Sequence, residues 1–233
     1  MPVFRLKTKI AYFCHIPKCG GTSVEDYLGN RFGKLSFLDR RWEGIPKKSR
    51  WSNTSPQHVD ANSISRILDP SFIDVEFATI RDPSSRFMSA FWHARKTRTI
   101  PQWLDADGLL SRIENADDKF HRSTDNHFRH ASEFLNAGTK TFKIEDGGHD
   151  LIKWLDRLAG ENGSERELPV TNQAHEIPKR KPSTAMSRFS EKMFPTKAIR
   201  TEVDQKLANR IFDVYRQDFG RLGYASPNQN FVN

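Results

Sequence analysis

Ile10-Ala-Tyr-Phe-Cys-His-Ile-Pro-Lys-Cys-Gly-Gly-Thr-Ser23 is the stretch on which the rest of the chain is read. Its first seven residues are short, apolar and β-prone. Pro17 and the pair Gly20-Gly21 then interrupt it, which predicts a buried strand ending in a tight loop. Beyond the glycines, Val24, Tyr27 and Leu28 stand at helical spacing. Thr22 reads as the cap of that helix, with Glu25 three residues on completing a capping box. A strand, a glycine loop and a helix start make a cradle for an anion. Gly20 and Gly21 have no Cβ, so backbone N–H groups can approach a ligand closely. The helix start offers unpaired N–H groups and the positive end of its dipole. Lys18 adds a full charge, and Thr22 and Ser23 add hydroxyls. The lysine precedes the glycines, unlike the G-x-x-x-x-G-K-[ST] phosphate loop. Taken alone, the segment also fits a plain glycine turn with a solvated lysine.

A second strand is predicted over Val75-Glu-Phe-Ala-Thr-Ile80. Asp82 then suits an N-cap and Pro83 a first helical residue. Phe87, Ala90, Phe91 and Ala94 fall on one face of the helix, with Arg86, Ser89 and His93 on a neighbouring one. Arg81 sits at the carboxyl end of the strand, where open α/β sheets collect ligands. A guanidinium there can grip an anion with two donors, and Ser89 can add a hydrogen bond. The alternative is a structural pair between Arg81 and Asp82 or Glu76.

Elsewhere the pattern predicts irregular surface over 31–53, a helix from Asn62 to Leu68, mostly helix over 101–137 and a strand over Lys140–Ile144. It also predicts a helix from Asp150 to Leu158, loop over 160–190 and a last helix from Val203 to Phe219 closed by Gly220 and Gly223. Strands alternating with helices imply an α/β domain with a parallel sheet. The 233 residues fit a single domain spanning 1–233. Seventeen Phe and five Trp argue for a packed core rather than disorder.

The net charge of +8 suits an anionic ligand, polymer or surface. There is no helix-turn-helix, zinc-finger or aromatic RNA-binding signature, so nucleic acid is not the expected partner. Cys14 and Cys19 are too few for a disulfide framework and lack paired metal spacing, which reads as reduced thiols. No apolar run reaches the roughly 18 residues of a membrane span, and no signal-peptide core is present. The chain reads as soluble and cytoplasmic.

Two segments together resemble the sulfotransferases that use 3′-phosphoadenosine-5′-phosphosulfate (PAPS), especially the carbohydrate type acting on heparan and chondroitin. His15-Ile-Pro-Lys-Cys-Gly-Gly-Thr-Ser23 resembles their 5′-phosphosulfate loop, H-x-P-K-T-G-G-T-S, with Cys19 in place of a threonine. Arg81-Asp-Pro-Ser-Ser-Arg-Phe-Met-Ser89 resembles their 3′-phosphate motif, R-D-P-x-x-R-x-x-S. Weaker echoes are Asp125–Leu135, where the family often has R-P-Q, then Phe142–Glu145, Leu168–Asn172 and Tyr215–Tyr224.

The resemblance implies a P-loop-like three-layer α/β fold with a central parallel sheet flanked by helices. It also implies PAPS as co-substrate, with no metal. Lys18, Cys19, Gly20, Gly21, Thr22 and Ser23 would hold its 5′ side, and Arg81 and Ser89 its 3′-phosphate. Lys18 would also act catalytically at the bridging oxygen, and 3′,5′-ADP would be the product. The acceptor would be a hydroxyl, with a glycan implied by the family type; no residue pattern names a sugar. Lacking the membrane anchor of Golgi members, the chain looks like a bacterial relative.

A hydroxyl acceptor calls for a general base, a role that suits histidine at neutral pH. His58 is the choice: it is expected between a strand end and a helix, and resembles a histidine the heparan enzymes place between their two nucleotide motifs. Glu25 and Asp60 are the fallbacks. The roles of His127, Arg129 and His130 stay open. Trp42, Trp51 and Trp92 could stack on sugars or pack in the core. The basic run Lys179-Arg180-Lys181 could close over a ligand or be a solvated loop. Two rivals remain, a nucleotide kinase and a basic nucleic-acid-binding module.

Overall fold

The computed structural model describes residues 1–161, 166–169 and 203–227. Four strands form one sheet in the order β1 (Val3–Leu6), β2 (Lys9–Cys14), β3 (Val75–Ile80) and β4 (Lys140–Lys143). β2, β3 and β4 run parallel, with Phe13 beside Phe77 and Phe77 beside Lys140. β1 pairs antiparallel with β2, so the sheet is mixed rather than wholly parallel. The sequence hid β1 because its turn, Lys7-Thr8, lacks the Asn-Gly or Asp-Gly signal of a tight hairpin. Lys7 takes the left-handed conformation there, with φ 56°.

The described residues also form seven α-helices. They are α1 (Gly21–Phe32), α2 (Ala61–Ser65), α3 (Pro83–Lys96), α4 (Ala106–Glu114), α5 (Asp118–Ser123), α6 (His149–Ala159) and α7 (Gln205–Leu222). The strands alternate their apolar residues between two faces. Ala11, Phe13, Val75, Phe77 and Phe142 pack against Val24 and Leu28 of α1 and Leu151 and Leu155 of α6. Tyr12, Cys14, Ala78 and Ile80 face the other way, toward Ile64 of α2, Phe134 and Leu222 of α7. The helical face Phe87, Ala90, Phe91 and Ala94 of α3 joins Leu109 and Leu110 of α4 and Ile211 and Tyr215 of α7 in a further cluster. Helices therefore cover both faces of the sheet, the three-layer α/β arrangement expected.

Five helices start on an aspartate whose carboxylate accepts the N–H three residues on: Asp60, Asp82, Asp105, Asp117 and Asp204. α1 starts instead on Gly20, left-handed at φ 77°, with no side-chain cap. The expected capping box at Thr22 and Glu25 does not form. Thr22 lies inside the first turn, and Glu25 turns to His15.

Other boundaries shift for local reasons. α2 ends at Ser65, because Asp69 begins a separate 3₁₀ turn at Pro70–Phe72. The region 101–137 is less helical than expected: beyond α4 and α5 it holds only a 3₁₀ turn at Ala131–Phe134. Gly220 lies within α7, and Gly223, left-handed at φ 69°, closes it. Lys179, Arg180, Lys181 and residues 170–172 lie outside the described residues. No described helix is long and apolar enough to cross a membrane.

Candidate active site

The β2–α1 loop is a tight turn, with the Cys19 N–H donating to the Ile16 carbonyl at 3.3 Å. Lys18 and Gly20 both take left-handed φ, 69° and 77°. For lysine this is a strained choice, of the kind that collects at ligand sites. The first-turn N–H groups of a helix have no intrahelical acceptor, and the N-cap residue here, Gly20, has no side chain to cap them. The pair of glycines is forced by close neighbours. A Cβ on Gly21 would stand 2.0 Å from the His15 Nε2, and one on Gly20 2.8 Å from the Ile144 side chain.

Arg81, at the end of β3, reaches this loop: its Nη1 points at the Lys18 carbonyl at 3.4 Å. Its alternative partners are occupied. Glu76 accepts from Asn136 and Thr139, and Asp82 caps α3 through the Ser85 N–H. Neither Lys18 nor Arg81 forms an ion pair with a described residue, though both are half-buried. Burial, and then the Arg81 charge, lower the Lys18 ammonium below its ordinary value. Two unpaired cations side by side are costly unless an anion joins them. Thr22, Ser23 and Ser89 are half-buried. Ser89 is two turns into α3, and its hydroxyl bonds no described residue.

The second arginine of the motif, Arg86, has a different job. It is 2% exposed, and its Nε donates to the Pro17 carbonyl at 3.1 Å. Its Nη2 donates to the Arg129 carbonyl at 2.8 Å, and its Nη1 lies 3.9 Å from Asp218 of α7. Arg86 thus ties the anion loop to the segment around 127–129.

That segment holds what the sequence did not show. The rings of His15, His58, His127 and His93 stand in series, with centroids 4.7, 5.1 and 4.8 Å apart. His58 does not follow a strand end as expected; it lies in a turn closed by its N–H on the Ser55 carbonyl. Its Nδ1 pairs with the Asp125 carboxylate at 2.7 Å. Asp125 also accepts the Ser55 N–H at 2.6 Å and the Ser55 hydroxyl at 2.9 Å. Burial would raise this carboxyl, but the charge and hydrogen bond of His58 and the Ser55 N–H outweigh it and hold it down at about 2. His127 donates its Nδ1–H to the Thr124 carbonyl at 3.0 Å. Burial pushes the His93 imidazole down to about 4 and His127 well below its usual range, so both are neutral at pH 7.

Both fallback bases are engaged elsewhere. Glu25 is 4% exposed and pairs with the His15 Nδ1 at 2.5 Å, while Asp60 caps α2. Arg129 pairs with Asp118 and Glu133, and the His130 Nδ1 lies 3.8 Å from Asp218. The atoms of His58, Asp125 and His127 that could meet a cation lie within 4.8 Å of one another, but the carboxylate already holds three donors. Cys14 and Cys19 are buried free thiols, pushed by burial up to about 12 and about 11.

A cleft of about 960 Å³ opens beside this row, with Lys47, Arg50, His93, Arg122, Asp125 and His127 on its wall. Trp42 is buried at its edge under the Arg50 guanidinium, 3.9 Å from the ring centroid. Trp51 is 66% exposed, and Trp92 packs against the α3–α4–α7 cluster.

Beside a glycine-started helix, a lysine and an arginine without ion-pair partners among the described residues, and an imidazole–carboxylate pair, stands a family-level finding: the family model for sulfotransferases matches residues 4–225. The chain belongs to the sulfotransferase family. No curated protein matches it, and no solved structure does. As a sulfotransferase, it belongs to enzymes that move a sulfuryl group. Sequence reasoning missed Asp125, His127, His93 and Arg86 as parts of one site. Arg86 was legible as the second arginine of R-D-P-x-x-R; the others are joined only by tertiary contacts.

Proposed function

We propose that this sulfotransferase moves the sulfuryl group of PAPS to a hydroxyl of a carbohydrate, with His58 as general base. The observation that carries the reading is the juxtaposition of Lys18 and Arg81, two half-buried cations that pair with no carboxylate among the described residues, beside the glycine-started helix α1. That arrangement suits a ligand with anionic groups at two ends. Lys18, Cys19, Gly20, Gly21, Thr22 and Ser23 take the 5′-phosphosulfate, and Arg81 and Ser89 take the 3′-phosphate.

In the transfer, the acceptor oxygen forms a bond to sulfur as the bond from sulfur to the bridging oxygen breaks. The electron pair of that bond leaves on the 5′-phosphate of 3′,5′-ADP, where Lys18 balances the growing charge. The acceptor proton passes to His58. Asp125 offsets the positive charge that the ring then carries, as a buried carboxylate does for a catalytic imidazole. His15 is a poorer candidate, because burial holds it down at about 4 and it is enclosed with Glu25. The cleft of about 960 Å³, bearing Lys47, Arg50 and Arg122, supports a large hydroxylated acceptor.

The test is transfer of label from [³⁵S]PAPS to desulfated heparan and chondroitin, with and without chelator. Labelled polymer, formed without added metal and lost in Lys18→Ala, is the expected result. Consumption of ATP with Mg²⁺, and none of PAPS, would replace this reading with a kinase.

A further inference from the structure

Asp125 and Asn126 are consecutive, neither is glycine, and both take left-handed backbone conformations, with φ 53° and 58°. Such a pair is costly, and it persists only where its surroundings hold it. Here both side chains are spent on one short segment, 55–58. The Asp125 carboxylate takes the Ser55 N–H, the Ser55 hydroxyl and the His58 Nδ1. The Asn126 amide donates to the His58 carbonyl at 2.8 Å, and its own oxygen accepts from the Arg129 Nε at 3.1 Å. Arg129 is in turn fixed by Asp118 and Glu133. The ring and the backbone of His58 are therefore gripped by two adjacent residues 67 and 68 positions away.

We infer that Asp125 is a positioning residue that fixes the tautomer of His58: it holds the proton on Nδ1, so that Nε2 is the nitrogen that takes the acceptor proton. The inference rests on the sulfuryl-transfer reading above. Its physical basis is simple. An ionised carboxylate only accepts hydrogen bonds, so the Nδ1 that faces it carries the proton. The neutral ring then has its lone pair on Nε2. Nε2 bonds no described residue, whereas the His127 Nδ1 and the His15 Nδ1 meet a carbonyl and a carboxylate of their own. The groups around His58 are the rings of His15 and His127, with Asp125 and, further off, Glu25 and His93. Of these, Asp125 alone contacts Nδ1. Asp125 and His127, which contact His58 on two sides, both line the cleft, and the His58 ring is buried just behind them.

The experiment is long-range ¹H–¹⁵N NMR on the full chain labelled in histidine, with His58 assigned by its loss in His58→Gln. Wild type is expected to show Nδ1–H and a bare Nε2 at neutral pH. In Asp125→Asn the amide can donate to Nδ1, and the proton is expected to move to Nε2. Turnover of PAPS with desulfated heparan should then fall about 10²- to 10⁴-fold in kcat. The thermal shift with 3′,5′-ADP should persist, because Lys18 and Arg81 are untouched. Ser55→Ala, which removes one donor to the same carboxylate, should lower kcat only a few-fold and leave the tautomer as in wild type. An Nε2–H tautomer in wild type overturns the inference even if Asp125→Asn fails to fold. So does a folded Asp125→Asn protein with wild-type kcat. Failure of wild type to bind 3′,5′-ADP would defeat the sulfuryl-transfer reading instead, and the tautomer would still be read.

Discussion

Two histidine–carboxylate pairs lie almost in contact in this molecule, in opposite surroundings. His15 and Glu25 are 6% and 4% exposed and face each other across the start of α1. The His15 ring fills the space that a side chain at Gly21 would need. His58 and Asp125 are built from the same two chemical groups, 4.7 Å away ring to ring, yet Asp125 borders the cleft. The first pair braces the anion loop from behind. The second has its carboxylate on the cleft wall. The same two chemical groups thus stand in different surroundings, and the proposed function assigns scaffold to the enclosed pair and chemistry to the one at the cleft.

Removing each histidine should sharpen that contrast. His58→Ala is expected to lower kcat by about 10²- to 10⁴-fold, the usual worth of a positioned base, with little change in 3′,5′-ADP affinity. Wild-type kcat in this variant would take the base role from His58. His15→Ala should act first on stability. It leaves Glu25 buried without its partner, a loss of about 3 kcal/mol, read as a lower denaturant midpoint. An unchanged midpoint would mean that the pair braces nothing.

Acid should find the same weakness in the wild-type chain. The His15 imidazole is pushed by burial down to about 4, against an ordinary 6.5. Between those values the unfolded chain binds a proton that the folded one does not. Stability therefore rises with pH across that window and falls as pH drops from about 6.5 to about 4. His15 contributes on the order of 3 kcal/mol to that slope, and buried His93 and His127 act in the same direction. Asp125, held at about 2, adds no loss until pH falls below the ordinary carboxylate range. Equilibrium unfolding at pH 7 and pH 5 reads the difference; equal stabilities would contradict it. The smallest effect is expected from Gly21→Ala. It crowds His15 and should cost about 1–3 kcal/mol, as overpacking does, and a thermal melt will show it.

The parts legible in the sequence were those made by local patterns. The apolar run before Pro17 and the run Val75–Ile80 gave β2 and β3. Asp82-Pro83 gave the start of α3 to the residue. Lys18 and Arg81 were legible because one lies in the loop after β2 and the other directly follows β3, and parallel strands bring their carboxyl ends to one edge. The capping box at Thr22 was misread, because the pattern cannot show that Glu25 has a better partner ten residues earlier. The pairing of His58 with Asp125, 67 residues apart, has no local signal at all. It depends on left-handed backbone at Asp125 and Asn126, which aspartate and asparagine tolerate but do not announce.

In the proposed function, Lys18 and Arg81 form one site for a nucleotide carrying phosphate at both its 3′ and 5′ positions. Thermal-shift titration with 3′,5′-ADP, beside 5′-AMP and ATP, tests it most directly. A ligand that binds only the folded chain adds about 2.7 kcal/mol of stability at a hundred times its Kd. A large rise in melting temperature is expected with 3′,5′-ADP, little with 5′-AMP, and loss of the rise in Lys18→Ala and in Arg81→Ala. No rise with 3′,5′-ADP, together with a magnesium-dependent rise with ATP, would contradict it.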